Sequence, residues 1–239
     1  MRKLFTLVAA FCFLVSTAQS SFEGLIEMSM STTQRPNFAT TKMYFSTIGG
    51  RVETEMKFSP NMKPFKTIRI HKNDKKDLYW VINEAAETYS VTDLSNYKPD
   101  EKEEKKVTVK VLGNEIIMGL NCVHILISSS SGETEMWTTK DLMNYTAYKK
   151  LNESDSKARI SSFANALIEA KAEGFPVKTL KKDGKGGNII IEIVKVERKT
   201  IDKSLFEVPP NYTKTETPTN GIEGVLQEMK QINSDPEKH

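Results

Sequence analysis

The stretch Val107–Thr139 contains three β-type runs separated by two turn signals, and it constrains the fold more than any other part of the chain. Apolar and polar residues alternate from Val107 to Val111, which is the period of a strand buried on one face. Gly113-Asn114 predicts a tight turn, because both residue types tolerate positive φ. Apolar residues on both faces of Ile116–Ile127 predict a central strand, and Glu133–Thr139 returns beside it. The pattern therefore predicts an antiparallel meander in the middle of a sheet.

Eight further segments show the alternation of strands with one buried face, which predicts a mainly antiparallel sheet. The cleanest of them has Val52 and Met56 pointing inward, while Arg51 and Glu53 face water. The predicted strands outside the meander are Phe22–Ser31, Thr41–Thr47, Arg51–Phe58, Lys66–His71, Leu78–Ile82, Thr88–Thr92, Val177–Leu180 and Ile189–Val196.

The predicted inward face is rich in methionine and aromatic residues and poor in the β-branched residues that usually fill sheet cores. Methionine is flexible and polarizable, and it recurs on surfaces that fit varied apolar ligands. Two interpretations stay open: a well-filled core, or an apolar cavity that this face lines. The candidate cavity-lining residues are Met28, Met30, Met43, Phe45, Met56, Phe58 and Trp80.

Two helices are predicted after the meander, at Lys140–Leu151 and from Asn152 to Gly174. The second helix has an apolar stripe with a 3.6-residue period, and Gly174 fits the C′ position that ends a helix. Such a stripe needs an apolar partner, and the apolar face of the sheet is the available one. The stripe consists of Ile160, Phe163, Ala164, Leu167 and Ile168.

A basic start precedes an apolar run from Leu4 to Val15, which small residues follow. These are the three regions of a secretory signal peptide, and the apolar run is too short to span a bilayer. A large residue, Phe11, precedes Cys12, whereas a lipoprotein signal needs a small residue there. We therefore expect residues 1–18 to be removed and the chain to be periplasmic or secreted, soluble and not a lipoprotein.

Residues 19–212 are predicted to form a single domain, which Ile201–Tyr212 ends by docking Phe206 and Val208. Residues 213–239 form a separate C-terminal part. A polar linker opens this part, and Gly221–Ile232 predicts a small amphipathic helix. That helix either packs back on the domain or contacts an envelope protein partner.

Removal of residues 1–18 takes away two basic residues and no acidic one, so the net charge falls from +3 to +1. A near-neutral chain argues against nucleic acid as a partner. Cys122 is then the one remaining cysteine, and we expect it to be a buried core residue. Cys122 and His124 share a face of their strand, where core positions explain them better than a nucleophile pair does.

The chain has no metal-ligand spacing among its three histidines, and it contains no nucleophile, phosphate-binding or dinucleotide-binding motif. We therefore expect no cofactor, no metal site and no enzyme activity.

Short motifs follow one another in a fixed order over residues 22–212. They are Phe22-Glu23-Gly24, Leu78-Tyr79-Trp80, Glu87-Thr88-Tyr89, Gly119-x-x-Cys122, Glu135-x-Trp137, Gly174-Phe175-Pro176-Val177 and Phe206-x-Val208-Pro209. This order resembles a family of secreted Gram-negative bacterial proteins classified as a domain of unknown function. That family is in turn similar to the outer-membrane lipoprotein carrier superfamily, which includes LolA, LolB and the periplasmic sensor RseB.

The resemblance implies an α+β fold that is mainly antiparallel β, with a curved sheet or half-barrel and helices across its concave face. It also implies binding of an apolar ligand, such as a lipid, an acyl chain or a lipidated protein, rather than catalysis. Two hypotheses result. The chain either holds such a ligand in a half-barrel cavity, or it is a cell-envelope scaffold or protein-interaction module with a filled core.

Overall fold

Twelve strands lie in one sheet within the part of the chain that the structure describes. The structure is a computed structural model, and it describes residues 22–57, 59, 63–93, 95, 107–130, 132–143, 157–182 and 186–216. The predicted signal peptide, Phe58, the side chain of Ile160 and the predicted C-terminal helix fall outside these residues.

Each strand that was predicted outside the meander lies within two residues of its predicted bounds, because the alternation of apolar and polar side chains marks it, whereas the last strand, Thr213–Lys214, lies in the predicted polar linker. The twelve strands are β1 (Gly24–Thr32), β2 (Ala39–Ser46), β3 (Gly49–Met56), β4 (Phe65–Lys72), β5 (Leu78–Asn83), β6 (Thr88–Asp93), β7 (Thr108–Ile117), β8 (Leu120–Ser129), β9 (Gly132–Thr139), β10 (Phe175–Lys182), β11 (Asn188–Arg198) and β12 (Thr213–Lys214).

The order across the sheet is β12-β6-β5-β4-β3-β2-β1-β11-β10-β9-β8-β7. The first six strands follow one another across one half, and β7 to β11 return from the far edge to β1. Pairing is antiparallel throughout except between β12 and β6, which run parallel. The predicted fold class, a mainly antiparallel curved sheet with helical cover, is confirmed. The sheet also extends to Lys214, two residues past the predicted domain end.

The prediction that the meander lies in the middle of the sheet is wrong, because β7 forms the sheet's edge. The first turn also lies later than predicted, at Met118-Gly119, where both residues have positive φ (52° and 77°). That geometry suits the tight turns of two-residue hairpins. Gly113 instead follows a β-bulge, since the pairing with β8 shifts between Val111 and Gly113.

Two helices were predicted after the meander, and the described residues there contain one α-helix, α1 (Lys157–Glu169), which packs on the sheet. Lys140, Asp141 and Leu142 form a turn instead of a helix start, and residues 144–151 lie outside the described residues. The apolar contacts of α1 come from Phe163 and Leu167.

Lys171, rather than the predicted Gly174, ends the helix, because its φ of 54° lies in the left-handed region. The N–H of Lys171 donates to the carbonyl of Ile168, and that of Ala172 donates to the carbonyl of Leu167, both at 2.9 Å. This is the Schellman pattern. Ile168 is 55% exposed, so the prediction that it belongs to the buried stripe is wrong.

Glycine is required at position 174 for a reason other than ending the helix. A Cβ atom placed on it would lie 2.5 Å from the carbonyl oxygen of Thr139, so the close approach of two backbones excludes a larger residue.

The sheet has two faces, which the cross-strand partners identify. The helix face carries Ile125, Ile127 and Met136, against which α1 packs. On the opposite face, residues 201–212 cover strands β2 to β6 through the buried side chains of Ile201 and Phe206. The predicted docking of Phe206 and Val208 is therefore confirmed.

Arg51 lies on the opposite face, because its cross-strand neighbours are Tyr44 and Ile70. It is only 8% exposed, so the prediction that it faces water is wrong. The covering segment, residues 201–212, explains the burial: Nη1 of Arg51 donates a hydrogen bond to the carbonyl oxygen of Leu205.

The largest apolar cluster gathers at the end of the sheet where β1, β8 and β10 begin. Its buried members are Phe22, Ile26, Met28, Met43, Phe45, Cys122, Trp137, Leu142, Met143, Phe175, Val177 and Ile193. Burial of Cys122 confirms its assignment to the core. Within the described residues, no helix is both long and apolar enough to cross a bilayer.

Candidate apolar binding surface

A row of mostly apolar and mostly half-buried side chains crosses the helix face of the sheet. Cross-strand pairing fixes its order, since each member lies opposite the next on a neighbouring strand. We call this set the methionine row. In order from β9 to β4, it consists of Met136, Thr179, Ile191, Met30, Ala39, Met56 and Phe65.

The methionine row crosses seven strands, so it spans about 29 Å at the usual spacing of strands in a sheet. Ala39 is buried, and every other member is half-buried. Directly opposite side chains on neighbouring strands have Cβ atoms about 5 Å apart, so the apolar strip is interrupted only by the hydroxyl group of Thr179. The length and near-continuity of this strip suit an extended, flexible apolar chain.

Five predicted site residues share the helix face, but they differ in burial. Met28, Met43 and Phe45 are 8%, 6% and 7% exposed and belong to the largest core cluster. Phe45 contacts the ring of Phe22 edge-on, with ring centroids 5.8 Å apart. Met30 and Met56 are half-buried and belong to none of the packed clusters that the described residues form.

The structure does not bring Trp80 to this surface. Trp80 lies opposite Ile70, which itself lies opposite Arg51, so the indole belongs to the opposite face. There it packs against the cluster that covers β4 and β5, with the ammonium groups of Lys72 and Lys75 at 5.4 and 5.7 Å from the ring centroid. Phe58, the seventh predicted residue, lies outside the described residues.

Polar side chains flank the methionine row on both sides. On one side Thr41 lies opposite Thr54, and their hydroxyl oxygens are 3.3 Å apart. On the other side Thr32 lies opposite Ile189, which lies opposite Lys181. An apolar strip between hydroxyl and ammonium groups can take a hydrocarbon chain along its length and contact a polar head at its border.

The sequence prediction missed Met136, Ile191 and Phe65, although each lies in or beside a predicted strand. Alternation within a strand shows which residues share a face, but it does not show which strands lie side by side. Ile189, Ile191 and Ile193 share one face of the strand that was predicted there, but no signal in the sequence shows that this face continues the face of β1.

A second cluster of chemically versatile side chains lies on the opposite face, around His124. Its Nε2 lies 2.9 Å from a carboxylate oxygen of Glu135, and its Nδ1 lies 3.3 Å from one of Glu115. The imidazole stacks on the indole of Trp137, with centroids 4.0 Å apart and planes 10° apart. Two carboxylates and an aromatic ring therefore fix this imidazole in place.

Cys122 does not use His124 as a base. Its thiol donates to the carbonyl oxygen of Leu120 at 3.5 Å, and burial raises the pKa of this thiol. A raised pKa lowers the fraction of the reactive thiolate. Among the described residues, no group of three or more acidic, histidine or cysteine side chains has the arrangement of a metal site.

Comparison with known proteins gives one family match. The model of the family described as "Domain of unknown function (DUF4412)" matches residues 22–212. No curated protein matches the chain.

Several solved structures match most of this chain at low sequence identity and low TM-score. A LolA superfamily protein from Nitrosomonas europaea has a TM-score of 0.31 and 8% identity, covering 80% of this chain and 91% of its own. A DUF1329 family protein from Desulfovibrio piger has a TM-score of 0.33 and 13% identity, covering 79% and 90%. PNGF-II has a TM-score of 0.38 and 12% identity over 86% of this chain, which spans 33% of PNGF-II.

Proposed function

The chain belongs to the DUF4412 family, and we propose that it is an exported cell-envelope protein that binds an apolar chain along the methionine row. The ligand is an acyl chain, carried by a lipid, a fatty acid or a lipidated protein. Residues 1–18 direct the export, and the protein acts without catalysis or a cofactor.

The observation that carries this proposal is the partial exposure of Met30, Met56 and Phe65. These side chains lie on the apolar helix face, yet they belong to none of the packed clusters formed by described residues. Large apolar side chains in such a position gain free energy when an apolar ligand removes them from water. Methionine suits this role because its unbranched side chain adapts to the shape of the ligand.

Simple transfer energetics set the expected affinity. Each buried methylene contributes about 0.8 kcal/mol, so eight of them contribute roughly 6 kcal/mol before ordering costs. This corresponds to a dissociation constant of tens of micromolar, or weaker, at about 25 °C. Useful binding therefore requires a long chain, most of whose length lies along the row.

A second function, an envelope scaffold or interaction module, is favoured by the packing of Met28, Met43 and Phe45. Their exposed fractions of 8%, 6% and 7% are typical of a filled core. In that case the protein acts through its surface, and the half-buried part of the methionine row has no ligand.

A fatty-acid displacement series from eight to eighteen carbons distinguishes the two functions. For an acyl-chain binder, we expect affinity to rise steeply with chain length until the row is filled. Met56→Phe should shorten the preferred chain by occupying space, with little loss of stability. Met43→Phe is the matched control: Met43 is 6% exposed, so overpacking should lower the free energy of unfolding by about 1–3 kcal/mol.

A flat response to chain length, together with a Met56→Phe variant as destabilised as Met43→Phe, would favour the scaffold. Native mass spectrometry of protein purified from the periplasm gives independent support if an apolar mass of lipid size co-purifies.

A further inference from the structure

The edge strand β7 is long, and no described strand pairs with its outer side. Its ten residues lie at the end of the strand order and pair only with β8 among the described strands. At the usual rise of a strand, β7 presents an edge about 34 Å long. Edges of this kind have backbone N–H and C=O groups that can pair with another strand.

Apolar exposure concentrates at this edge. Of the six large apolar residues that are strongly exposed in the described part of the chain, four lie on β7 or its turn: Val111, Leu112, Ile116 and Met118. A fifth, Ile168, lies on α1, which contacts β7. Ile116 is the most exposed of them, at 75%. Concentrated apolar exposure on one edge is typical of a protein interaction site.

The charges on β7 identify the partner. Lys110 and Glu115 lie opposite Leu126 and Cys122 of β8, respectively, so the two charged residues share one face. Residues five apart on a regular strand would point to opposite faces. The bulge between Val111 and Gly113 changes this phase, and it places one positive and one negative group on the same side of one exposed strand.

We propose that β7 pairs antiparallel with β7 of a second copy of this chain, about a two-fold axis between Leu112 and Gly113. In this register Lys110 lies opposite Glu115 of the second copy, and the symmetry repeats the ion pair. On the helix face, Val109 lies opposite Ile116 of the second copy. The strand is therefore complementary to itself in both charge and apolar contact.

The register is selective because other alignments lose this complementarity. A shift by two residues would separate Lys110 from Glu115 of the second copy, and a shift by one residue would place apolar groups opposite charged ones. The pairing joins two twelve-stranded sheets into one continuous sheet. Because only two strand edges and their neighbouring side chains meet, the dimer belongs to the weak, concentration-dependent class of interfaces.

Sedimentation velocity over a concentration series tests the proposal on the full chain, and circular dichroism melts show that each variant is folded. We expect a monomer–dimer equilibrium in the wild-type protein. Lys110→Glu places two carboxylates opposite each other and should weaken dimerisation by about tenfold or more, as should Glu115→Lys. The double variant Lys110→Glu/Glu115→Lys restores opposite charges and should regain dimerisation to within about threefold of the wild type.

The apolar part has its own matched pair of variants. Ile116→Lys introduces a charge opposite Val109 of the second copy and should abolish the dimer. Val194→Lys is the control, because Val194 is 50% exposed but lies on β11, far across the sheet from β7. It should leave the equilibrium unchanged.

Several results would overturn the proposal. A monomer at every concentration excludes the dimer, and assemblies larger than a dimer exclude a closed two-fold pairing. Failure of the double charge reversal to restore dimerisation excludes this register. Equal effects of Ile116→Lys and Val194→Lys would show that association does not use β7. None of these measurements depends on acyl-chain binding, so they are independent of the displacement series.

Discussion

Arg51 and Leu205 are joined across 154 residues of sequence by a hydrogen bond of 2.9 Å from the Nη1 of Arg51 to the carbonyl oxygen of Leu205. The Nε of the same guanidinium donates to Glu53 at 2.6 Å, and the two side chains are only 10% and 14% exposed. Arg51 thus connects β3 to the short 3-10 helix at Lys203–Phe206. The covering segment, residues 201–212, is therefore held on the sheet by a polar contact as well as by the burial of Phe206.

Replacement of Arg51 by methionine should lower the free energy of unfolding by about 3 kcal/mol. The buried carboxylate of Glu53 then has the more exposed Lys66 as its partner, and the carbonyl oxygen of Leu205 loses the hydrogen bond from Arg51. Urea denaturation measures the change. Lys66→Met is the control: Lys66 also pairs with Glu53, but its side chain is 34% exposed, so its loss should cost under about 1 kcal/mol. Equal losses for the two variants would contradict the role assigned to Arg51.

Replacement of Lys171 by glycine should raise the free energy of unfolding by about 1 kcal/mol. Lys171 has a φ of 54°, a left-handed conformation that costs a non-glycine residue roughly this amount. Glu169→Gly, two residues earlier and still helical, is the control and should destabilise by about the same amount. Thermal or urea unfolding should therefore show that the free energy of unfolding rises in Lys171→Gly and falls in Glu169→Gly. A destabilised Lys171→Gly variant would contradict the assigned helix end.

The strands could be predicted from the sequence because their signal is local. Alternation places apolar side chains on one side of each strand, and this identified β1 to β6, β10 and β11. Burial of Cys122 and docking of Phe206 also followed from local apolar runs. These features depend on residues within one strand or one turn.

Features that depend on distant partners could not be predicted. Arg51 has the alternation of an exposed residue, but a segment 150 positions later covers that side of the sheet. Trp80 alternates correctly within β5, yet no local pattern shows which of its faces continues the face of β1. The order of strands is likewise absent from the periodicity, so the meander was placed in the middle of the sheet and not at its edge.

The same limit applies to the candidate site. The shared face of Met30 and Met56 could be predicted, because both lie on strands close together in sequence. Ile191 and Met136 complete the row only because β11 pairs with β1, and β10 and β9 follow beyond β11 in the strand order. A surface formed by both halves of the chain is visible only once the strand order is known.

Cys122 should react slowly with a thiol reagent in the folded protein. It is 2% exposed, and burial raises its thiol pKa, so both access and thiolate fraction are low. If reaction requires global unfolding, the rate should be at least about a thousandfold below that in denaturant, given ordinary domain stability. Because the pKa is raised, the reaction of Cys122 in the folded protein should stay slow when the pH increases from 7 to 8.5.

Mass spectrometry of the peptide containing residue 122 measures the adduct. A cysteine introduced at the 50%-exposed Val194 is the control and should react within minutes. Equal rates at the two positions would contradict the placement of Cys122 in the core.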